Sequence, residues 1–273
     1  MNWELIVQCS NLALGILLII RLFSTKLYRL YRAFCIFLIT DLLVIASWIL
    51  SAAFKPLSAH FYLFTWLLIR PVGWLFTLLM VYSLLDKILV QLPGVLRLSK
   101  RVLHGVFLLA ILTGLVSAWF EYRAPGFTFQ RENLLTRFWV TGLVFDRVVA
   151  STALLSLAAI LIFLLWFPIT IPRNLAVFSV GLVIYFAAIT GALLARSLWP
   201  NGALPAIVKL VHVVSTSLGG ISGACFAFWI FYLSPSGEKV ESKIAIQRQP
   251  QEQERLIAQL ELLNATLLKA ARR

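Results

Sequence analysis

Six ionisable side chains fall inside stretches that are otherwise apolar: Asp41, Arg70, Asp146, Arg147, Lys209 and His212. A charge held in hydrocarbon is costly, so such residues mark ion pairs, ligand sites or conduction pathways. Arg70 is the most informative of them. Its planar fork suits a carboxylate or a phosphate, and it is followed by Pro71 and Gly73, which weaken the local helical ladder and open space or a kink beside it. Two arrangements are open. In one, Asp41 and Arg70 form a buried ion pair, while Asp146, Arg147 and Lys209 extend to the outer interface. In the other, Arg70, Asp146, Arg147, Lys209 and His212 line an outward-facing basic pocket. That pocket would receive an anionic small molecule or a lipid headgroup, with Asp146 as a partial counter-charge.

The elements that must position these residues are membrane helices. The chain has 273 residues, 61% hydrophobic and 13% charged, with a mean hydropathy of +0.92. Soluble domains carry about twice that share of charge, so a soluble globular protein is excluded, as is a disordered chain. Three cysteines exclude a disulfide framework. Seven stretches are long and apolar enough to span a bilayer: Trp3–Ile20, Ala33–Phe54, Tyr62–Leu85, Val102–Phe120, Phe138–Trp166, Asn174–Leu198 and Ala206–Leu233. Met1–Ile20 is not a signal peptide, because its basic residues follow the apolar run rather than precede it.

Of the 24 Lys and Arg, 16 lie on the side of Arg21–Arg32, Asp86–Arg101, Arg173 and the tail. Five lie on the opposite side and three inside spans. This bias places the N-terminus outside and the C-terminus in the cytoplasm. The net charge of +13 is therefore a topology signal, and no nucleic-acid partner is expected. Trp48, Trp119, Trp139, Trp166 and Trp199 fall near span ends, as an aromatic belt does. The expected fold is an all-α membrane protein: a seven-transmembrane helix bundle over residues 1–233, a polar linker over 234–250 and a cytoplasmic amphipathic helix over 251–273. The bilayer is the expected partner, and the expected location a bacterial cytoplasmic membrane.

Depth follows from the helical rise of about 1.5 Å per residue. Arg70 lies about 12 Å below the outer surface, and Asp41 differs from it by about 6 Å along the membrane normal, within reach of an extended Arg. Asp146 and Arg147 lie at a similar depth, and Lys209 and His212 nearer the start of the seventh span. In that span Gly219-x-x-x-Gly223 and Gly220-x-x-x-Ala224 offer small-residue faces for packing within the chain or between copies. In the tail, Leu256, Leu260, Leu263 and Leu267 form one apolar stripe. It suits a helix lying on the inner leaflet with Arg255, Lys269, Arg272 and Arg273 near anionic lipid, a short two-helix contact within or between chains, or docking to a protein partner. Asn264-Ala265-Thr266 matches a glycosylation acceptor, which a cytoplasmic tail cannot use.

Catalytic signatures are missing. There is no HExxH, nucleophile elbow or Walker motif. His104 and His212 sit at opposite ends of their spans and cannot share a haem. No enzymatic activity, cofactor or metal is expected.

Seven spans with the N-terminus outside resemble the topology of microbial rhodopsins and G-protein-coupled receptors. Rhodopsins carry a Schiff-base lysine midway along the seventh helix, but Lys209 stands at its start and Gly73 occupies the counterion position, which argues against retinal. Asp86-Lys87-Ile88 stands where receptors carry Asp-Arg-Tyr. The segment Tyr28-x-x-Tyr31-Arg32-Ala33-Phe34, and the third span from Trp66 through Arg70-Pro71 to Tyr82, resemble a family of uncharacterised bacterial seven-helix integral membrane proteins. That resemblance implies the topology and no particular activity. Three functions fit: a receptor-like signalling module with an outward basic site, an accessory subunit of a larger membrane complex, and a transporter or channel through the Asp41/Arg70 region.

Overall fold

The computed structural model describes residues 3–53, 59–123, 134–167, 170–197, 204–239, 241–243 and 250–270. The chain is all-α, with eight α-helices among the described residues: α1 (Trp3–Ser24), α2 (Arg32–Ala53), α3 (Ala59–Ile88), α4 (Pro93–Arg123), α5 (Leu134–Trp166), α6 (Arg173–Ser197), α7 (Leu204–Tyr232) and α8 (Pro250–Ala270). Five of them, α1, α2, α3, α5 and α6, contain segments long and apolar enough to cross a membrane. Exposed Leu, Ile, Val, Phe and Trp cover the outer surface. Such a surface is stable only against lipid, and the chain is a membrane protein.

Helices α1, α2, α3, α5, α6 and α7 pack in that order around a closed ring, α7 returning against α1. Helix α4 stands outside the ring, mainly against α5, and exposes Leu108, Leu109, Leu112, Leu115 and Val116. The ring is filled by aromatic side chains: Phe34, Phe37, Phe178, Tyr185, Phe186, Phe226 and Trp229 are all 5% exposed or less.

Interhelical polar contacts join the ring. Buried Asn11 on α1 donates from Nδ2 to the Gly219 carbonyl of α7, 3.0 Å away. A Cβ at Gly223 would stand 2.6 Å from Asn11 Oδ1. Gly219 and Gly223 therefore let α7 approach α1 within one chain. Gly220 does not join this contact: it is on the exposed side, with open space where a Cβ would stand. One helical position turns a residue by about 100°, so only one of the two overlapping glycine faces can meet α1.

The segment expected as a linker, 234–250, is partly structured. It holds a 3-10 turn (Pro235–Glu238) and a strand, β2 (Glu241–Lys243), which pairs antiparallel with β1 (Thr170–Pro172) before α6. Pro235 and Gly237 read as chain breakers, but fully buried Asn174 holds the turn. Its Nδ2 donates to the Ser234 carbonyl and to Glu238 Oε1, at 2.7 and 2.9 Å.

Candidate functional site

Arg70 stands at the centre of a five-residue polar cluster within the ring. Its Nε and Nη2 donate to Asp146 Oδ1 and Oδ2 at 2.7 and 2.9 Å, and its Nη1 to Asp41 Oδ1 at 3.2 Å. Trp74 Nε1 donates to Asp146 Oδ1 and the Tyr185 hydroxyl to Asp41 Oδ2, each at 2.9 Å. Four helices thus meet at one guanidinium: α2 through Asp41, α3 through Arg70 and Trp74, α5 through Asp146, and α6 through Tyr185. The Arg70, Asp41 and Asp146 side chains are 17, 14 and 13% exposed.

Local sequence explains how these groups face inward. Arg70 and Trp74 are four apart on α3 and share a face. The helix runs on through Pro71, which sits on its exposed side. Trp66, one turn before Arg70, packs against Gly142 of α5, which stands one turn before Asp146 on the same helix face. Trp66 meets Trp74 edge-on at 6.4 Å and Trp74 stacks on Phe145 at 5.7 Å. These rings lower the local dielectric and strengthen the charge-assisted bonds beneath them. A cavity of about 20 Å³ adjoins the cluster, bordered by Thr40, Thr77, Asp146 and Tyr185. That is room for about one water molecule.

The arrangement differs from the expected basic pocket. Asp146 is a bidentate partner of Arg70 rather than a partial counter-charge, and within the hydrogen-bonded cluster two carboxylates face one guanidinium. An anion reaching Arg70 has to displace Asp146. Arg147 is half-buried on α5, the residue after Asp146. Lys209 and His212 lie on α7, but their side chains fall outside the described residues. Trp74 and Tyr185 carry no charge at neutral pH, so the charge pattern of the sequence does not single them out.

Beyond the cluster the ring is filled by tilted and edge-on aromatics. Ring centroids run from Tyr185 to Trp229 at 6.3 Å, Trp229 to Phe34 at 5.0 Å, Phe34 to Phe178 at 4.7 Å and Phe178 to Tyr31 at 4.2 Å. At the far end the Tyr31 hydroxyl donates to Glu238 Oε1 at 2.9 Å. Burial, then the Glu238 charge and hydrogen bond, push the Tyr31 phenol above its usual range. Lys87 Nζ lies 3.9 Å from the Tyr31 ring centroid and donates to the Leu30 carbonyl. Arg21 closes the last turn of α7 by donating to the Leu233 carbonyl at 2.8 and 3.2 Å.

Helix α8 docks on α4 of its own chain. Leu260 is 5% exposed, Leu256 and Leu267 are half-buried, and Leu263 is 48% exposed. The docked face is thus Leu256, Leu260, Asn264 and Leu267, and Leu263 sits on its flank. Asn264 Oδ1 accepts from the Gly94 and Val95 N–H groups at 2.6 and 3.3 Å. These are orphan donors of the first turn of α4, so a side chain from α8 caps α4. A Cβ on Gly94 would collide with the Asn264 backbone carbonyl.

No group of metal-binding side chains occurs among the described residues. No family model, no curated protein and no solved structure matches this chain.

Proposed function

We propose that this chain is a non-enzymatic, receptor-like signalling module of a bacterial cytoplasmic membrane. In this reading α1–α7 form a seven-helix transmembrane bundle, with the N-terminus outside and α8 in the cytoplasm. The Asp41–Arg70–Asp146 cluster is the element an external stimulus biases, and the chain after α7 reports its state. The observation that carries this reading is the buried aromatic column from Tyr185, bonded to Asp41, to Tyr31, bonded to Glu238. Close-packed rings have few alternative arrangements, so a shift of Tyr185 at one end is felt at the turn that precedes β2 and α8. The same column fills the ring with buried apolar rings, which disfavours a transporter. Arg70 is already bonded to both carboxylates, so a stimulus acts by competing for one of those bonds.

The experiment is limited proteolysis of the 244–249 segment in membranes, comparing wild type with Asp41→Asn and Asp146→Asn. A changed cleavage rate in folded protein supports coupling. Identical rates in all three proteins reject the reading.

The accessory-subunit reading keeps one supporting observation, the broad apolar flank of α4 outside the ring. Co-purification of a stoichiometric membrane protein that is lost on Leu112→Arg would favour it.

A further inference from the structure

Buried polar groups are hydrogen-bonded, so the donors and acceptors left over in the Arg70 cluster define what its small cavity takes. A guanidinium has five N–H donors. The bonds of Arg70 to Asp146 and Asp41 use three of them, and two remain. Arg70 borders the cavity of about 20 Å³ together with Thr40, Gly73, Thr77, Asp146 and Tyr185. The Thr40 and Thr77 hydroxyls donate to the Phe37 and Gly73 carbonyls at 2.7 and 2.9 Å, and the Tyr185 hydroxyl donates to Asp41. With their hydrogens committed, these three oxygens can only accept from a molecule in the cavity.

The complement of that wall is a molecule that accepts from a guanidinium and donates hydrogens to oxygens. A halide cannot donate, and a metal ion cannot accept from an N–H. One water molecule needs about 10–15 Å³ and two to four polar partners. The cavity meets both conditions and is too small for an organic molecule. Gly73 keeps it open. Arg70, Gly73 and Thr77 share one face of α3. A Cβ on Gly73 would stand 3.5 Å from Thr40 Oγ1, an ordinary contact, and would meet no other residue. Helix packing therefore does not require glycine here, although glycine in a helix interior costs stability relative to alanine. What the missing methyl group preserves is the cavity.

We infer that the cavity is a site for one structural water, which accepts from Arg70 and donates to two of the Thr40, Thr77 and Tyr185 oxygens. The water joins α3 to α2 or α6 on the side of the cluster that meets the aromatic column. It gives the guanidinium a neutral partner, so an N–H that leaves a carboxylate meets an acceptor rather than an apolar wall. The site needs only the geometry of the cluster and stands or falls independently of the signalling role.

The test is X-ray radiolytic footprinting of the whole protein in detergent, in water enriched in oxygen-18, read by mass spectrometry. A bound water yields hydroxyl radical in place and oxidises the ring beside it. Tyr185 is 3% exposed and borders the cavity, whereas Trp229 is fully buried outside it and is the more reactive ring toward this radical. Tyr185 is expected to take up label several-fold faster than Trp229. Gly73→Ala, which places a methyl group in the cavity, is expected to bring Tyr185 down to the Trp229 level. It is also expected to lower the melting temperature, whereas Gly220→Ala, with open space around it, raises it. Equal labelling of Tyr185 and Trp229 in the wild type, undiminished labelling in Gly73→Ala, or a gain in melting temperature matching that of Gly220→Ala would overturn the inference. Should Gly73→Ala fail to fold, Thr77→Val removes one acceptor at nearly constant shape. It is expected to slow Tyr185 labelling several-fold, and an unchanged rate counts against the site.

Discussion

Arg70→Ala is the most informative single change, because it strands two carboxylates at once. Arg70 makes three charge-assisted hydrogen bonds, two to Asp146 and one to Asp41. Removing one partner of a buried pair costs about 3–5 kcal/mol. The cluster keeps some solvent contact, with side chains 13 to 17% exposed, so the lower end applies, about 3 kcal/mol. At about 2–4 °C per kcal/mol for a chain of this size, the melting temperature falls by roughly 6–12 °C. Neutralising a stranded carboxylate then recovers part of the loss. Asp146→Asn is expected to rescue more than Asp41→Asn, because Asp146 loses two bonds to Arg70 whereas Asp41 loses one and keeps Tyr185. The assay is a double-mutant cycle on thermal unfolding in detergent, with coupling energies on the order of 1–2 kcal/mol. Coupling below about 0.5 kcal/mol for both carboxylates would refute the reasoning, since it would mean that water or lipid headgroups already solvate Arg70.

Three other predictions follow from the same contacts. Leu260→Glu is expected to release α8, measured as protease sensitivity of the tail, whereas Leu263→Glu leaves it docked; Asn264→Ala costs about 1 kcal/mol, as loss of a helix cap does. Cysteine labelling of intact cells is expected to modify a residue placed in the Glu121–Arg137 loop and spare one in the tail; the reverse pattern would invert the proposed orientation. Tyr31 is expected to stay protonated after an ordinary tyrosine, near pH 10, has ionised. Its folded-state value is raised, so its contribution to stability is complete below about pH 10 and is lost as pH climbs toward the folded value. Phenolate absorbance settles this: if Tyr31→Phe removes a group ionising near the ordinary value, the buried Tyr31–Glu238 bond is absent.

The Asp41–Arg70 pairing was legible from the chain, because helical rise is uniform and apolar runs have ends. Asp41 and Arg70 fall within reach of each other on that count alone. The bidentate role of Asp146 was not, because depth says nothing about which helices are neighbours. Helix α3 lies against α5 because α4 is displaced from the ring. The one sequence feature that bears on this is the first third of α4, where Arg97, Lys100, Arg101 and His104 crowd into eight positions. A helix so charged cannot surrender that third to a dry core, and it takes the periphery. The neutral partners Trp74 and Tyr185 became visible only once the carboxylates had positions to which their donors could point.

The tail shows a subtler limit, and it yields to a bookkeeping of backbone donors. Spacings of three and four residues both keep a helical stripe on one face, so Leu256-Leu260-Leu263-Leu267 and Leu256-Leu260-Asn264-Leu267 are equally good by periodicity. Apolarity favours the first, and the structure adopts the second. The reason lies in α4. The residues before its first turn are Gln91 and Leu92, followed by Pro93 and Gly94, so no Ser, Thr, Asp or Asn precedes the helix to accept its orphan N–H groups. An uncapped helix start buried under another helix is costly. An acceptor must therefore arrive from elsewhere, and an Asn on the docking helix supplies it. Gly94, the one residue there without a Cβ, lets the α8 backbone come close enough for the bond to form. A helix with a poor cap and a glycine in its first turn thus predicts both that something covers it and that the covering face carries a short polar side chain, which singles out Asn264 over Leu263.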